Sequence, residues 1–224
     1  MIVESNIEKE QFLEYWNNEE SIVIPIWEDL ERHPMTCDVS FLYVRFQNLD
    51  FILPFKHNDC EPIEIDLSKS SQPKWVWNKK ALLQTDLDIQ NQKDIQTSLF
   101  FNENKLYPFG EKLEVLTNFY HRLGMRDGLG KSIPIMKFME VLGDMSNDFV
   151  NLTPTFSWID DTMIPILSDV EQKGIQVDRK KFFDRWKHND KSLWFSRTFT
   201  EYNPYTITSR PSNRHLGINF SALS

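Results

Sequence analysis

Arginine, serine, threonine and asparagine recur at close intervals in Tyr205 to Phe220, YTITSRPSNRHLGINF, and these side chains are suited to holding a charged ligand. Guanidinium groups make forked hydrogen bonds to phosphates or base-edge acceptors, and Ser and Asn donate to phosphate oxygens. From Lys173 onward five lysines and five arginines stand against four acids, a net charge of +6, whereas the whole chain carries −8 and residues 1 to 172 therefore −14. An acidic body with a basic end is the pattern of a protein that turns one segment toward nucleic acid. A solvated basic helix face gives the same charge distribution.

The other candidate reactive groups carry less. His33, His57, His121, His188 and His215 are scattered without metal-ligand spacing and read as surface or packing residues. Cys37 and Cys60 form no CxxC pair and stand near no histidine cluster, so they read as reduced thiols rather than as a disulfide or a zinc site. GLGKS at 128 to 132 lacks the glycine spacing of a phosphate loop. Trp75 and Trp77 read as core, while Trp186 and Trp194 belong to a basic segment where they could stack on exposed bases.

Positioning such groups requires a folded body, and 40% hydrophobic with 13% aromatic content in 224 residues suffices for a sizeable core. No apolar run approaches the ~18 to 20 residues of a membrane span, and MIVESNIEKEQ is too polar and acidic for a signal peptide, which predicts a cytoplasmic protein without membrane contact. Asn6 to Asn18 places Ile7, Phe12, Tyr15 and Trp16 roughly on one face of a short amphipathic helix. Ser21 to Trp27, Val39 to Phe46 and Phe51 to Phe55 predict a three-stranded antiparallel meander with a turn at Gln47 to Asp50. Residues 57 to 74 read as loop, and Lys74 to Gln84 as a short strand running into a helix. Helices are predicted at 111 to 122, 133 to 144, 159 to 173 and 179 to 195, the first two separated by Gly124, Gly128 and Gly130. This order predicts an α/β fold, a mixed sheet covered by helices, followed by a helical segment. Glu201 to Ser224 is polar, holds Pro204 and Pro211, and lacks a periodicity that would let it pack alone.

Ile164 to Phe182, IPILSDVEQKGIQVDRKKF, resembles the segment by which family A (Pol I-like) DNA polymerases pass from the exonuclease domain into the thumb. The family pattern is an apolar helix, (I/V)E, two residues, G(I/V), one residue and (I/V)D; Val170, Glu171, Gly174, Ile175, Val177 and Asp178 fill those places. Physically, Gly174 ends a helix, Ile175 and Val177 alternate inward, and Asp178 caps a basic helix that carries Lys180 and Lys181. Tyr205 to Phe220 is similar to the family segment T-x-T-G-R-x-S-S, a short insert, then N-x-Q-N, with Thr206, Thr208, Arg210, Ser212, Asn213 and Asn219 at corresponding places. Ser209 departs from the usual Gly and Pro211 from the usual Leu. The resemblance implies that Thr208, Arg210, Ser212, Asn213, Arg214 and Asn219, with Lys180 and Lys181, lie against primer–template DNA. It also divides the chain into an RNase H-like, exonuclease-like domain at 1–157, a helical passage into a short thumb at 158–200, and a DNA-contacting segment at 201–224. The palm carboxylates that hold two metal ions for nucleotidyl transfer are not among these residues. The chain is therefore expected not to synthesise DNA alone; a split gene, with a separate palm-and-fingers chain completing the enzyme, and a truncated reading frame both fit, the split polymerase being the main expectation. Its compactness and divergence point to a viral replication protein, acting in the host cytoplasm.

An exonuclease of this type needs about four carboxylates, from separate segments, to bind two metal ions. Aligning Ile26-Trp27-Glu28 with the family's Asp-x-Glu retains Glu28 and puts Ile26 where the first Asp belongs. The pattern Asn, three residues, Asp falls on Asn78 and Leu82, and Tyr, three residues, Asp falls on Glu140 and Asp144. Glu28 and Asp144 are thus the residual catalytic candidates, and Asp94 is a further acid without an assigned place. The expectation is a scaffold without a cofactor, Mg²⁺ being the ion if nuclease activity remains. Two other readings stay open: an active metal-dependent 3′–5′ exonuclease using Glu28, Asp29, Asp94 and Asp144, and a protein-binding module with no DNA role, which the net charge favours.

Overall fold

Alternation along β1 (Ser21–Trp27) decides how the first part of the chain is layered: Ile24 and Ile26 enter one hydrophobic core, Val23 and Trp27 another, and all four are buried. A strand buried on both faces reads as nearly continuous apolar sequence, as SIVIPIW does. The computed structural model describes residues 1–30, 37–47, 49–104, 106–149, 151–154, 158–186, 193–194, 197–205 and 212–215, the side chains at 186, 193–194 and 212–215 excepted. The chain forms two compact units, Met1–Phe156 and Ser157–Ser224.

In the first unit β2 (Val39–Phe46) and β3 (Leu49–Pro54) complete the expected antiparallel meander, β3 starting two residues earlier than predicted. β4 (Lys74–Val76) pairs parallel to β1, and β5 (Gln92–Asp94) parallel to β4. The order β3-β2-β1-β4-β5 makes a mixed five-stranded sheet in which β2 alone runs against the others, so the α/β class holds. One face is covered by α3 (Ile95–Glu103), α4 (Phe109–Arg122), α5 (Leu129–Ser132) and α6 (Ile135–Ser146), through Leu99, Leu113, Leu129, Phe138 and Leu142. The other face is covered by α1 (Asn6–Asn18), α2 (Lys79–Leu82) and the loop that carries Leu67.

The local signals explain most of these elements. Ser5 and Glu8 form a capping box at the start of α1, and Phe12 and Trp16, four residues apart, bury the same stripe. Ile7, expected on that stripe, is 78% exposed, because five residues before Phe12 is not a multiple of the helical turn. β5 and α3 were not expected. Asp94 explains them: its Oδ1 accepts from the Thr97 amide at 2.7 Å as the α3 N-cap, and its Oδ2 accepts from the Lys79 amide at 2.9 Å.

The second unit begins with a π-helical turn, Ile159–Met163, that continues as α7 (Ile164–Lys173); the change of helical type falls just before Pro165, which supplies no backbone donor. There follow β6 (Ile175–Gln176), α8 (Arg179–Trp186), β7 (Leu193–Trp194), β8 (Arg197–Thr198), β9 (Glu201–Asn203) and β10 (Ser212–His215). The helix expected to reach residue 195 is α8, ending at Trp186, and Leu193–Trp194 pair with β8 instead. Pairing across a ladder overrides the helical spacing of the aromatics there. The segment from 201, expected not to pack by itself, contributes β9 and β10 as a two-stranded antiparallel ladder. Among the described residues no helix is long and apolar enough to cross a membrane.

Candidate functional site

Glu28 follows directly on β1, just past a register shift between Ile26 and Trp27, a bulge of the kind that re-aims side chains at a strand end. Its neighbour is Lys131, whose Nζ donates to Glu28 Oε1 at 3.3 Å. The segment that carries Lys131 is held there by residues 57 and 58: the Asn58 amide donates to Lys131 O at 3.0 Å, Asn58 Nδ2 donates to Ser132 Oγ at 3.1 Å, and His57 Nε2 lies 3.0 Å from Ile133 O. His57 Nδ1 accepts from the Asp59 amide, so the ring is neutral with its proton on Nε2, and burial holds its pKa below the usual value. This histidine is a packing residue, as its lack of metal spacing predicts.

The mouth of the strand holds a cleft of about 220 Å³ lined by Glu28, Asp29, Cys37, Asp127, Gly128, Lys131 and Ser132. A second of about 480 Å³ is lined by Glu28, Asp38, Lys56, Gln84 and Asp86, among others, and within it Lys56 is ion-paired with Asp38. Cations therefore stand beside the acids. The Lys131–Glu28 pair is part-exposed and contributes no more than about 1 kcal/mol to stability, so its consequence is chemical: it sets an ammonium group beside the Glu28 carboxylate. Among the described residues no three His, Cys, Asp or Glu side chains come together to hold a metal.

Of the other carboxylate candidates, Asp29 lines the smaller cleft together with Glu28, whereas Asp94 and Asp144 line neither cleft. Ile26 is buried in the core on the sheet face covered by α3 to α6, whereas Leu82 is buried in the core on the opposite face. Asn78 is the left-handed N-cap of α2, with its side chain accepting from the Ala81 amide. Asp144, a residual catalytic candidate, is at the wrong end of the sheet: the adjacent Gly143 carbonyl accepts from Arg45 Nη1 at 2.9 Å, and Arg45 is in register with Ile22, whereas Glu28 follows Trp27. Six residues of strand, roughly 20 Å, separate Ile22 from Glu28. The sequence spacing could not reveal this, because α6 crosses the sheet in a direction that local pattern does not specify. Asp94 is 2% exposed and consumed by capping, and Asp29 is 6% exposed with its amide donating to Cys37 Sγ at 3.1 Å. Lys131 was missed as a site residue; the available signal was Gly130, whose neighbour must approach β1 closely.

In the second unit the expected punctuation is present. No family model matches the chain, and no curated protein matches it significantly. Gly174 ends α7 at φ +66°, and Arg197 Nη1 donates to the carbonyls of Lys173 and Gly174 at 2.6 and 3.0 Å. Glu171, 1% exposed, accepts from the Tyr202 amide at 2.7 Å, which ties α7 to β9. Asp178 Oδ1 accepts from the Lys181 amide at 3.0 Å, and this bond holds its carboxyl below the usual pKa. Val177 is buried and Ile175 half-buried, so the expected inward alternation holds. Lys180 and Lys181 are exposed on α8. Ser212, Asn213 and Arg214 lie on β10, Ser212 opposite Asn203 and Asn213 opposite Tyr202. Thr208, Arg210 and Asn219 lie outside the described residues.

Proposed function

We propose that the chain is the exonuclease-like and thumb-leading portion of a family A-type DNA polymerase, serving DNA replication by holding primer–template DNA through its basic segment from Lys173 onward. The observation that carries this reading is the arrangement at Glu171, Gly174 and Asp178, where an apolar helix is stopped, tied back to β9 through a buried carboxylate, and followed by a capped basic helix. The mixed sheet with one opposed strand, covered by helices on both faces, supports an RNase H-like assignment of the first unit. Its Glu28–Lys131 pair and the wide separation of Glu28 from Asp144 support a scaffold rather than a nuclease. The DNA contact runs through Lys180, Lys181, Thr208, Arg210, Ser212, Asn213, Arg214 and Asn219, whose donors suit phosphate and groove acceptors. Nucleotidyl transfer would draw its carboxylates from a palm that residues 1–224 do not contain, carried for instance by a partner chain.

Binding of a labelled primer–template at two salt concentrations, by the wild-type chain and by Arg210→Ala, tests the reading. Salt-sensitive binding that weakens in the variant is expected, since each phosphate contact releases counterions. Absent or salt-independent binding would sink it and favour a protein-binding module. With Mg²⁺ or Mn²⁺ added, a labelled single strand is expected to keep its length. Metal-dependent shortening abolished by Glu28→Gln would instead establish an active exonuclease.

A further inference from the structure

We infer that the exposed face of α4 is the contact by which two copies of this chain pair, antiparallel about a two-fold axis near Asn118, into a weak and reversible dimer. α4 carries two apolar stripes. Leu113, Leu116 and Tyr120 turn one of them into the core of the first unit. Val115, Phe119 and Leu123, each four residues after the last, form the other, and they are 78%, 57% and 63% exposed. Phe119 meets the Tyr120 ring edge-on with 5.1 Å between centroids, and more than half of its surface remains open. A lone exposed apolar side chain needs no explanation, whereas three in a row along one helix mark a contact surface.

Charge identifies the occupant as a second copy. Glu111 stands in the first turn of α4 and Arg122 in the last, and both are exposed. At about 3.6 residues per turn their separation is close to three whole turns, so the two lie on one flank of the open stripe, with the uncharged Asn118 between them. An antiparallel pairing brings the acidic end of one helix to the basic end of the other, and a two-fold axis makes that contact twice. The helix dipoles are then opposed as well. With the axis near Asn118, the three apolar levels, about 6 Å apart, fall between those of the second copy, and Glu111 of one copy stands within about 5 Å, along the helix, of Arg122 in the other. A parallel pairing offers no such match. One helix pair covers less than the ~1,200 Å² of a stable interface, so the dimer is a weak one. This pairing does not depend on the DNA reading.

The test is sedimentation of the full chain over about a thousandfold range of concentration, which reads the mass in solution. The wild-type chain is expected to pass from monomer to dimer and no further. Phe119→Ala is expected to weaken the association about thirtyfold, as loss of a central aromatic anchor does. Glu111→Arg and Arg122→Glu each set like charges together twice, and each should weaken it about tenfold. Mixed in equal amounts, those two variants form both unlike pairs anew, and dimer of wild-type strength should return. Unfolding midpoints equal to wild type check that the exposed substitutions leave the fold intact. A chain that stays monomeric throughout, a dimer indifferent to Phe119→Ala, or a mixture no tighter than either charge variant alone overturns the pairing. A mass that climbs past the dimer overturns it too, because a two-fold contact closes on itself.

Discussion

Gly130→Ala is expected to destabilise the first unit by about 3 kcal/mol or more, because the added methyl has nowhere to go. A Cβ at Gly130 would overlap the carbonyl oxygen of Trp27, lie 2.9 Å from its carbonyl carbon, and stand 3.3 Å from that of Glu28. Those atoms end the central strand, where Trp27 pairs with Val39 of β2 and the Glu28 amide donates to Asp38 O at 2.8 Å, so the strand end resists displacement. α5 must withdraw instead. Withdrawal would break the Lys131–Glu28 pair and pull on the contacts of His57 and Asn58 with Ile133 and Lys131. Gly110→Ala is the matching control, since a Cβ there meets nothing within 4 Å and lies in a helix, where alanine is favoured. Urea unfolding reads both variants. A Gly130→Ala midpoint within error of wild type would mean that α5 does not abut β1.

Stability is expected to rise by about 3 kcal/mol between pH 8 and pH 10.5 through Lys74, and this rise should vanish in Lys74→Met. Lys74 is fully buried at the start of β4, where its Nζ donates to Glu19 O at 2.6 Å and lies 4.6 Å from the Trp16 ring centroid. Burial lowers its pKa to about 8, with the charges of Glu20 and Glu19 offsetting part of the shift. Below pH 8 the amine is protonated in both folded and unfolded chains, and the whole cost of burying the charge is present. As pH rises from 8 to 10.5 the folded chain gives up its proton first, so the unfolded chain binds more protons and stability increases. Tyr43 and Tyr107, raised by burial, act oppositely above about pH 10, since their unfolded forms ionise first. Both tyrosines are common to wild type and variant, so the difference between the two unfolding profiles isolates Lys74. Parallel profiles would show that the amine is hydrated.

Much of the chain was legible from local pattern. The β1 to β3 meander, the strand-to-helix turn at Asn78, α1, α4, α6 and the α7–Gly174–Asp178 passage all follow from apolar period and from caps whose chemistry acts within four residues. α3 was not, since its cap, Asp94, was weighed as a catalytic acid rather than as a helix start. α8 was overextended because aromatic spacing near Trp186 and Trp194 fits helix and strand alike, and only pairing with β8 separates them.

By itself the sequence determined the α/β class, the apolar side chains at Ile26 and Leu82, the excess of positive charge from Lys173 onward and the cap at Asp178, since each depends on side-chain type or on neighbours a turn away. Tertiary structure alone decided that Ile26 and Leu82 face opposite cores, that Asp144 follows Gly143 near Arg45, at the Ile22 end of β1 and away from Glu28, and that Lys131 pairs with Glu28. The physical reason is that a sheet sorts residues by strand order, face and register, and these relations are fixed by packing between segments more than a hundred residues apart, as Glu28 and Lys131 are.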